Sequence, residues 1–167
     1  MKAVYFLCQI VFVGVIMKEV STEECIKWQD HRKELENCCK YYPPYPQEGL
    51  NRCSKPALEQ SGRDEAEYLR CLFECYFDRL GIVVDQTLDL DKVAEHLQSM
   101  SENSRDIVLN AYKKCAAETT GSLRVCHSYA QELEACALLE IDRHCPDEFY
   151  EPNEICDKRR AGVEFCE

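Results

Sequence analysis

Two cysteines sit one helical turn apart in Cys71-Leu72-Phe73-Glu74-Cys75, and thirteen cysteines and four histidines are spread over 167 residues. Cysteine thiols can cross-link the chain, hold a metal or act as nucleophiles. On a helix, residues i and i+4 project the same way. A bridge between Cys71 and Cys75 would strain that helix. Two separate bridges would staple one helix to two neighbours. Adjacent Cys38 and Cys39 likewise call for different partners.

The choice among these chemistries depends on compartment. The chain opens with Lys2 and an apolar run from Ala3 to Met17, followed at once by polar residues. That run is short for a membrane span and reads as a secretory signal peptide, residues 1–20, cleaved between 17 and 24. Its removal takes Cys8 and leaves an even set of twelve: Cys25, Cys38, Cys39, Cys53, Cys71, Cys75, Cys115, Cys126, Cys136, Cys145, Cys156 and Cys166. An even number in an oxidising compartment predicts disulfides. Cys126-His127 and His144-Cys145 put histidine beside cysteine. Structural zinc sites use paired knuckles in reducing compartments, so no metal is expected. No Asn-x-Ser/Thr sequon and no second membrane-length run is present, so a secreted, extracellular protein without membrane insertion is expected.

Catalytic patterns are missing. Cys38-Cys39-Lys40-Tyr41-Tyr42 shares its paired cysteines with a helix of secreted phospholipases A2, but lacks the His-Asp pair and a glycine-rich calcium loop. Neither Gly-x-Ser-x-Gly nor His-Glu-x-x-His occurs. The reading is no enzyme, no catalytic residue and no cofactor. A formal net charge of −11 argues against nucleic acid and acidic membrane surfaces.

Helices must position these cysteines. Ser21 and Glu24 form a capping box for a helix to about residue 39. Residues 40–62 hold prolines and glycines that predict an irregular loop, with Cys53 tying it down. Helices follow over about 64–80, stopped by Gly81; from Asp89 or Asp91 to about 100; from Ser101 or Asn103 to about 117; and from Ser122 to about 141. Ile82-Val83-Val84 is a short connector. Residues 146–167 form a tail that wraps back. The expected class is all-α: about six helices braced by disulfides around an apolar cavity, one domain over 21–167 with cysteine-rich extensions.

The ordered set Cys71-x3-Cys75, Leu80-Gly81-Ile82-Val83, Leu88-Asp89-Leu90-Asp91-Lys92-Val93, Tyr112-Lys113-Lys114-Cys115, Gly121, Cys126 and Cys136 closely resembles insect odorant-binding proteins. The extra cysteines, and Cys145-Pro146 followed by Cys156, are similar to the Plus-C class of that family. Asp85-Gln86-Thr87 departs from it, where many relatives place a glycine turn. The resemblance implies bridges of first to third, second to fifth and fourth to sixth cysteine. Carried over, these are Cys71–Cys126, Cys115–Cys136, and Cys75 with Cys38 or Cys39. An offset register through Cys126, Cys136 and Cys145 is also acceptable.

The resemblance further implies a secreted carrier of small hydrophobic molecules such as odorants or pheromones. A chemoreceptor or a homodimer partner is compatible with it. The cavity lining would be Leu72, Tyr76, Leu97, Val108, Tyr112, Leu133, Ala137 and Leu138. Residues at such helical spacing serve equally as plain core. Two rivals are a disulfide-rich module that binds another protein, exposing the loop Tyr41 to Pro46, and a lipid carrier outside olfaction. His31, His96, His127 and His144 are candidates for acid-sensitive release.

Overall fold

The computed structural model describes residues 25–62 and 64–166. The signal segment and the Ser21–Glu24 capping box lie outside them. Among the described residues the fold is helical: α1 Trp28–Leu35, α2 Gln47–Ser61, α3 Glu65–Leu80, α4 Leu90–His96, α5 Glu102–Glu118, α6 Tyr129–Arg143 and α7 Glu154–Arg160. One antiparallel hairpin, β1 Val83–Val84 and β2 Thr87–Leu88, joins α3 to α4.

The caps explain several boundaries. The Asp64 carboxylate accepts from the Ala66 and Glu67 amides, and Asp89 from those of Asp91 and Lys92. The Ser101 hydroxyl accepts from Ser104 N–H. Each satisfies amides that a first helical turn leaves free. Gly81 closes α3 in the left-handed conformation, φ 70°.

Several expectations are corrected, the first helix among them: residues 25–27 are not helical, and α1 begins only at Trp28. Residues 47–61 form a helix, not a loop, although Pro56 lies inside it. Pro46 precedes the first turn, where a proline does no harm, and Pro56 faces solvent. Leu50, Cys53 and Ala57 recur at helical spacing and pack into the core. That burial outweighs the broken hydrogen bond at Pro56. Ile82-Val83-Val84 enters a hairpin, whose turn residues Asp85 and Gln86 both adopt positive φ, 49° and 60°. Aspartate tolerates this region better than most residues, which lets the turn form without the glycine. Finally α6 begins at Tyr129, not Ser122. Gly121 at φ 64° turns the chain, and Ser122 N–H donates to the Ser128 hydroxyl at 2.6 Å. The segment between is a closed loop that carries Cys126.

Helices α2, α3, α5 and α6 pack around one core containing Phe77, Ile82, Val93, Leu97, Val108, Tyr112 and Leu133. A second, smaller cluster of Ile26, Leu35, Cys38 and Cys156 joins α1 to α7. The two ends of the described chain thus form a clasp of their own. The tail is built, not patternless: a 3-10 turn at Asp147–Phe149, then α7 capped by Asn153.

All twelve cysteines pair. Cys71–Cys126 and Cys115–Cys136 form as the resemblance implied, and the offset register is excluded. Cys75 bridges Cys53, not Cys38 or Cys39. The first-to-third bridge therefore holds with Cys53 as first cysteine. The error traces to placing Cys53 in a loop: on α2 it faces α3 directly. Cys38 and Cys39 do take different partners, Cys156 and Cys145, and Cys25 bridges Cys166. Both cysteines of α3 staple it outward, Cys75 to α2 and Cys71 to the loop before α6.

Candidate functional site: a buried tyrosine and glutamate cluster

The proline-rich segment Lys40–Pro46 straps the clasp to α2. Its start is fixed by backbone bonds from Lys40 N–H to Phe149 C=O, 2.8 Å, and from Glu151 N–H to Cys38 C=O, 3.0 Å. The strap turns Tyr41 and Tyr45 inward and leaves Tyr42 80% exposed. Of the loop Tyr41–Pro46 that a protein-binding module would expose, Tyr42 is open to solvent while Tyr41 and Tyr45 are buried. Tyr45 packs edge-on to Tyr76, Phe77 and His96. The Tyr76 hydroxyl donates to Pro46 C=O at 3.3 Å. Gly49 passes so close that a Cβ there would lie 3.0 Å from the Tyr76 ring.

At the centre is Glu134 of α6, a buried acid. The Tyr112 hydroxyl, from α5, donates to its carboxylate. Tyr45 in turn donates to the Tyr112 hydroxyl at 2.9 Å. The Tyr41 hydroxyl is buried with no hydrogen-bond partner among the described residues. Burial pushes the Glu134 carboxyl up from 4.5 to about 7, against the pull of the Tyr112 hydrogen bond. The Glu134 charge also helps raise the Tyr41, Tyr45 and Tyr76 phenols, after burial itself. Four tyrosines thus surround one carboxylate that sits on the edge of ionisation at neutral pH.

Of the residues expected to line a cavity, Leu72, Tyr76, Leu97, Val108, Tyr112, Leu133 and Ala137 all belong to this core. Leu138 lies on the outer side of α6, 37% exposed. Clefts on the surface are lined by other residues: Glu74, Asp78 and His127 in one, Leu58 and Tyr68 in an open apolar groove between α2 and α3. Among the described residues the histidines belong to no cluster that could hold a metal ion. His127 Nδ1 accepts from Tyr129 N–H, His144 Nδ1 contacts Glu140 C=O, and His31 Nδ1 lies 3.7 Å from the Glu34 carboxylate, beyond hydrogen-bond distance. Cys126 and Cys145, the cysteines beside histidines, are both bridged.

Sequence reasoning missed Tyr41, Tyr45 and Glu134. The signal for Glu134 was present. It occupies an inward position of α6, four residues after Ala130 and three before Ala137, where a charge is out of place. The strap tyrosines gave no periodic signal, because proline-rich chain has no helical face.

No helix among the described residues is long and apolar enough to cross a membrane. A search of curated proteins gives no match. A family model described as the PBP/GOBP family matches residues 21–139. With the three-bridge pattern of Cys53, Cys71, Cys75, Cys115, Cys126 and Cys136 inside that span, the chain belongs to the PBP/GOBP family, the insect odorant- and pheromone-binding proteins.

Proposed function

We propose that this protein is a secreted carrier that binds a small, largely apolar molecule non-covalently in the interior bounded by Leu72, Tyr76, Leu97, Val108, Leu133 and Ala137. One observation carries the reading: the middle of an apolar core keeps Glu134 and a Tyr41 hydroxyl that has no partner among the described residues. A core built only for stability gains nothing from them, since a buried polar group without a partner costs about 1–3 kcal/mol. A binding interior does gain, because a few placed polar groups orient an apolar ligand.

Admission of a ligand would draw Tyr41 and Tyr45 aside on the strap while six bridges hold the frame. Ligand burial would supply about 25 cal/mol per Å² of apolar surface, less the ordering costs. The three bridges outside the family set, Cys25–Cys166, Cys38–Cys156 and Cys39–Cys145, support placing it in the Plus-C class.

The test is titration of the oxidised protein with Nile red, a neutral apolar dye, and its displacement by volatile organics. Saturation near one dye per chain with selective displacement is expected. A protein with all six bridges that binds no dye and no volatile is not a carrier.

A further inference from the structure

Three glutamates are buried to a similar degree: Glu67 at 5%, Glu134 at 5% and Glu140 at 7% exposure. Two have cations. Glu67 pairs with Arg70 at 2.7 Å and lies 4.0 Å from Arg124; Glu140 pairs with Lys114 and Arg143, each at 2.8 Å. Glu134 has no cation beside it among the described residues, only the Tyr112 hydroxyl. Buried carboxylates are ordinarily paired, because taking a lone charge out of water is expensive.

The groups around Glu134 leave acceptor sites open, and the Tyr41 O–H is an open donor besides. Tyr45 spends its proton on Tyr112, so its oxygen lone pairs remain free to accept. The Tyr41 hydroxyl has no partner among the described residues. The Tyr45 ring meets those of Tyr76 and Phe77 edge to face beside them, and aromatic faces attract cations.

We propose that the interior selects ligands bearing a primary amine, bound as the ammonium, with Glu134 as counter-ion and the Tyr41 and Tyr45 oxygens accepting its remaining protons. An ammonium brings a charge partner for Glu134 and three donors, one each for the carboxylate and the Tyr41 and Tyr45 oxygens. An alcohol brings one donor and leaves Glu134 without a charge partner. A carboxylic acid is repelled at neutral pH. The Glu134 carboxyl, held near 7, ionises readily once a cation arrives. The titratable groups facing it are Tyr112 of α5, Tyr76 of α3, and Tyr41 and Tyr45 of the strap, with His96 of α4 behind the Tyr45 ring. This inference rests on the carrier reading and names the ligand class of the same site.

The experiment is Nile red displacement from the oxidised full chain by heptylamine, heptan-1-ol and heptanoic acid, in low salt and in 0.5 M salt. Heptylamine is expected to displace at roughly tenfold lower concentration than the alcohol, as a charge-assisted hydrogen bond implies, with the acid weakest. The preference should persist in high salt, because a buried pair is poorly screened. Glu134→Gln, close in shape, should lose the preference, read within that variant as the ratio of the heptylamine and heptan-1-ol displacement midpoints. Tyr41→Phe should weaken heptylamine several-fold more than it weakens the alcohol. Equal displacement by amine and alcohol, a preference abolished by salt, or one kept in both variants would overturn the proposal while the carrier reading stands. If the wild-type protein neither binds Nile red nor gives heat with heptylamine by calorimetry, the carrier reading falls and takes this proposal with it.

Discussion

The Tyr112 hydroxyl joins two groups that the sequence keeps far apart: it accepts from Tyr45 on the strap and donates to Glu134 on α6. One phenol on α5 thereby ties strap, α5 and α6 at a single point. The link runs through the apolar core, where each hydrogen bond is strengthened and each loss is costly.

Glu134 makes stability depend on pH. Its folded-state value is raised from 4.5 to about 7, so folding favours the protonated form. The contribution is complete below about pH 4.5 and is lost as pH rises through 7. Guanidinium unfolding with bridges intact should show wild type losing about 3 kcal/mol, relative to Glu134→Gln, between pH 5 and pH 8.5. Parallel curves for the two proteins would refute the assignment.

Tyr112 and Tyr41 should respond oppositely to loss of the hydroxyl. Tyr112→Phe removes a donor to Glu134 and an acceptor for Tyr45, and is expected to destabilise by about 2–4 kcal/mol. Tyr41→Phe removes a buried hydroxyl that has no partner, and should be neutral or stabilising by up to about 1 kcal/mol. Denaturant midpoints of the two variants, compared with wild type, decide it.

Local chemistry made much of this frame legible. Gly81 was readable as a stop, and Asp89 and Ser101 each as one of two candidate starts, because capping depends on one side chain and its immediate neighbours. Cys71–Cys126 and Cys115–Cys136 followed from the family pattern of spacings. Residues 47–61 were not legible, because Pro56 and Gly49 weaken local propensity while the compensating contact, Cys53 against Cys75, is tertiary. The start of α6 was obscured by Ser122, a good cap by type that instead closes a loop with Ser128. The site was half legible: periodicity located Leu72, Tyr76, Tyr112 and Leu133, but nothing periodic marks a strap tyrosine.

That loop depends on Gly121. At φ 64° only glycine is at ease, and a Cβ there would lie 2.6 Å from His127 Cε1 and 2.9 Å from Tyr129 Cα. The histidine ring can shift; the backbone at the start of α6 cannot readily do so. Gly121→Ala is expected to cost about 2 kcal/mol or more, from the left-handed conformation plus the overlap. A thermal midpoint unchanged from wild type would show that the loop has room.

The clasp should open before the core does. In five bridges at least one cysteine is nearly buried; in Cys25–Cys166 neither is. Its 141-residue separation suggests a large effect, about 5 kcal/mol by the loop-entropy rule. Cys38–Cys156 already closes the interior of that loop, however, and leaves roughly two dozen residues to restrain, about 3 kcal/mol. The chain's single tryptophan reports on this corner: Trp28 meets the Phe165 ring edge-on at 5.8 Å, one residue from Cys166. Mild dithiothreitol should therefore change Trp28 emission first, while the tyrosine near-ultraviolet dichroism of the Tyr45–Tyr112 core stays as it was. Mass mapping at that stage should find Cys25 and Cys166 alkylated and the other five bridges intact. Loss of the tyrosine signal in step with the tryptophan change would mean that clasp and core unfold as one unit.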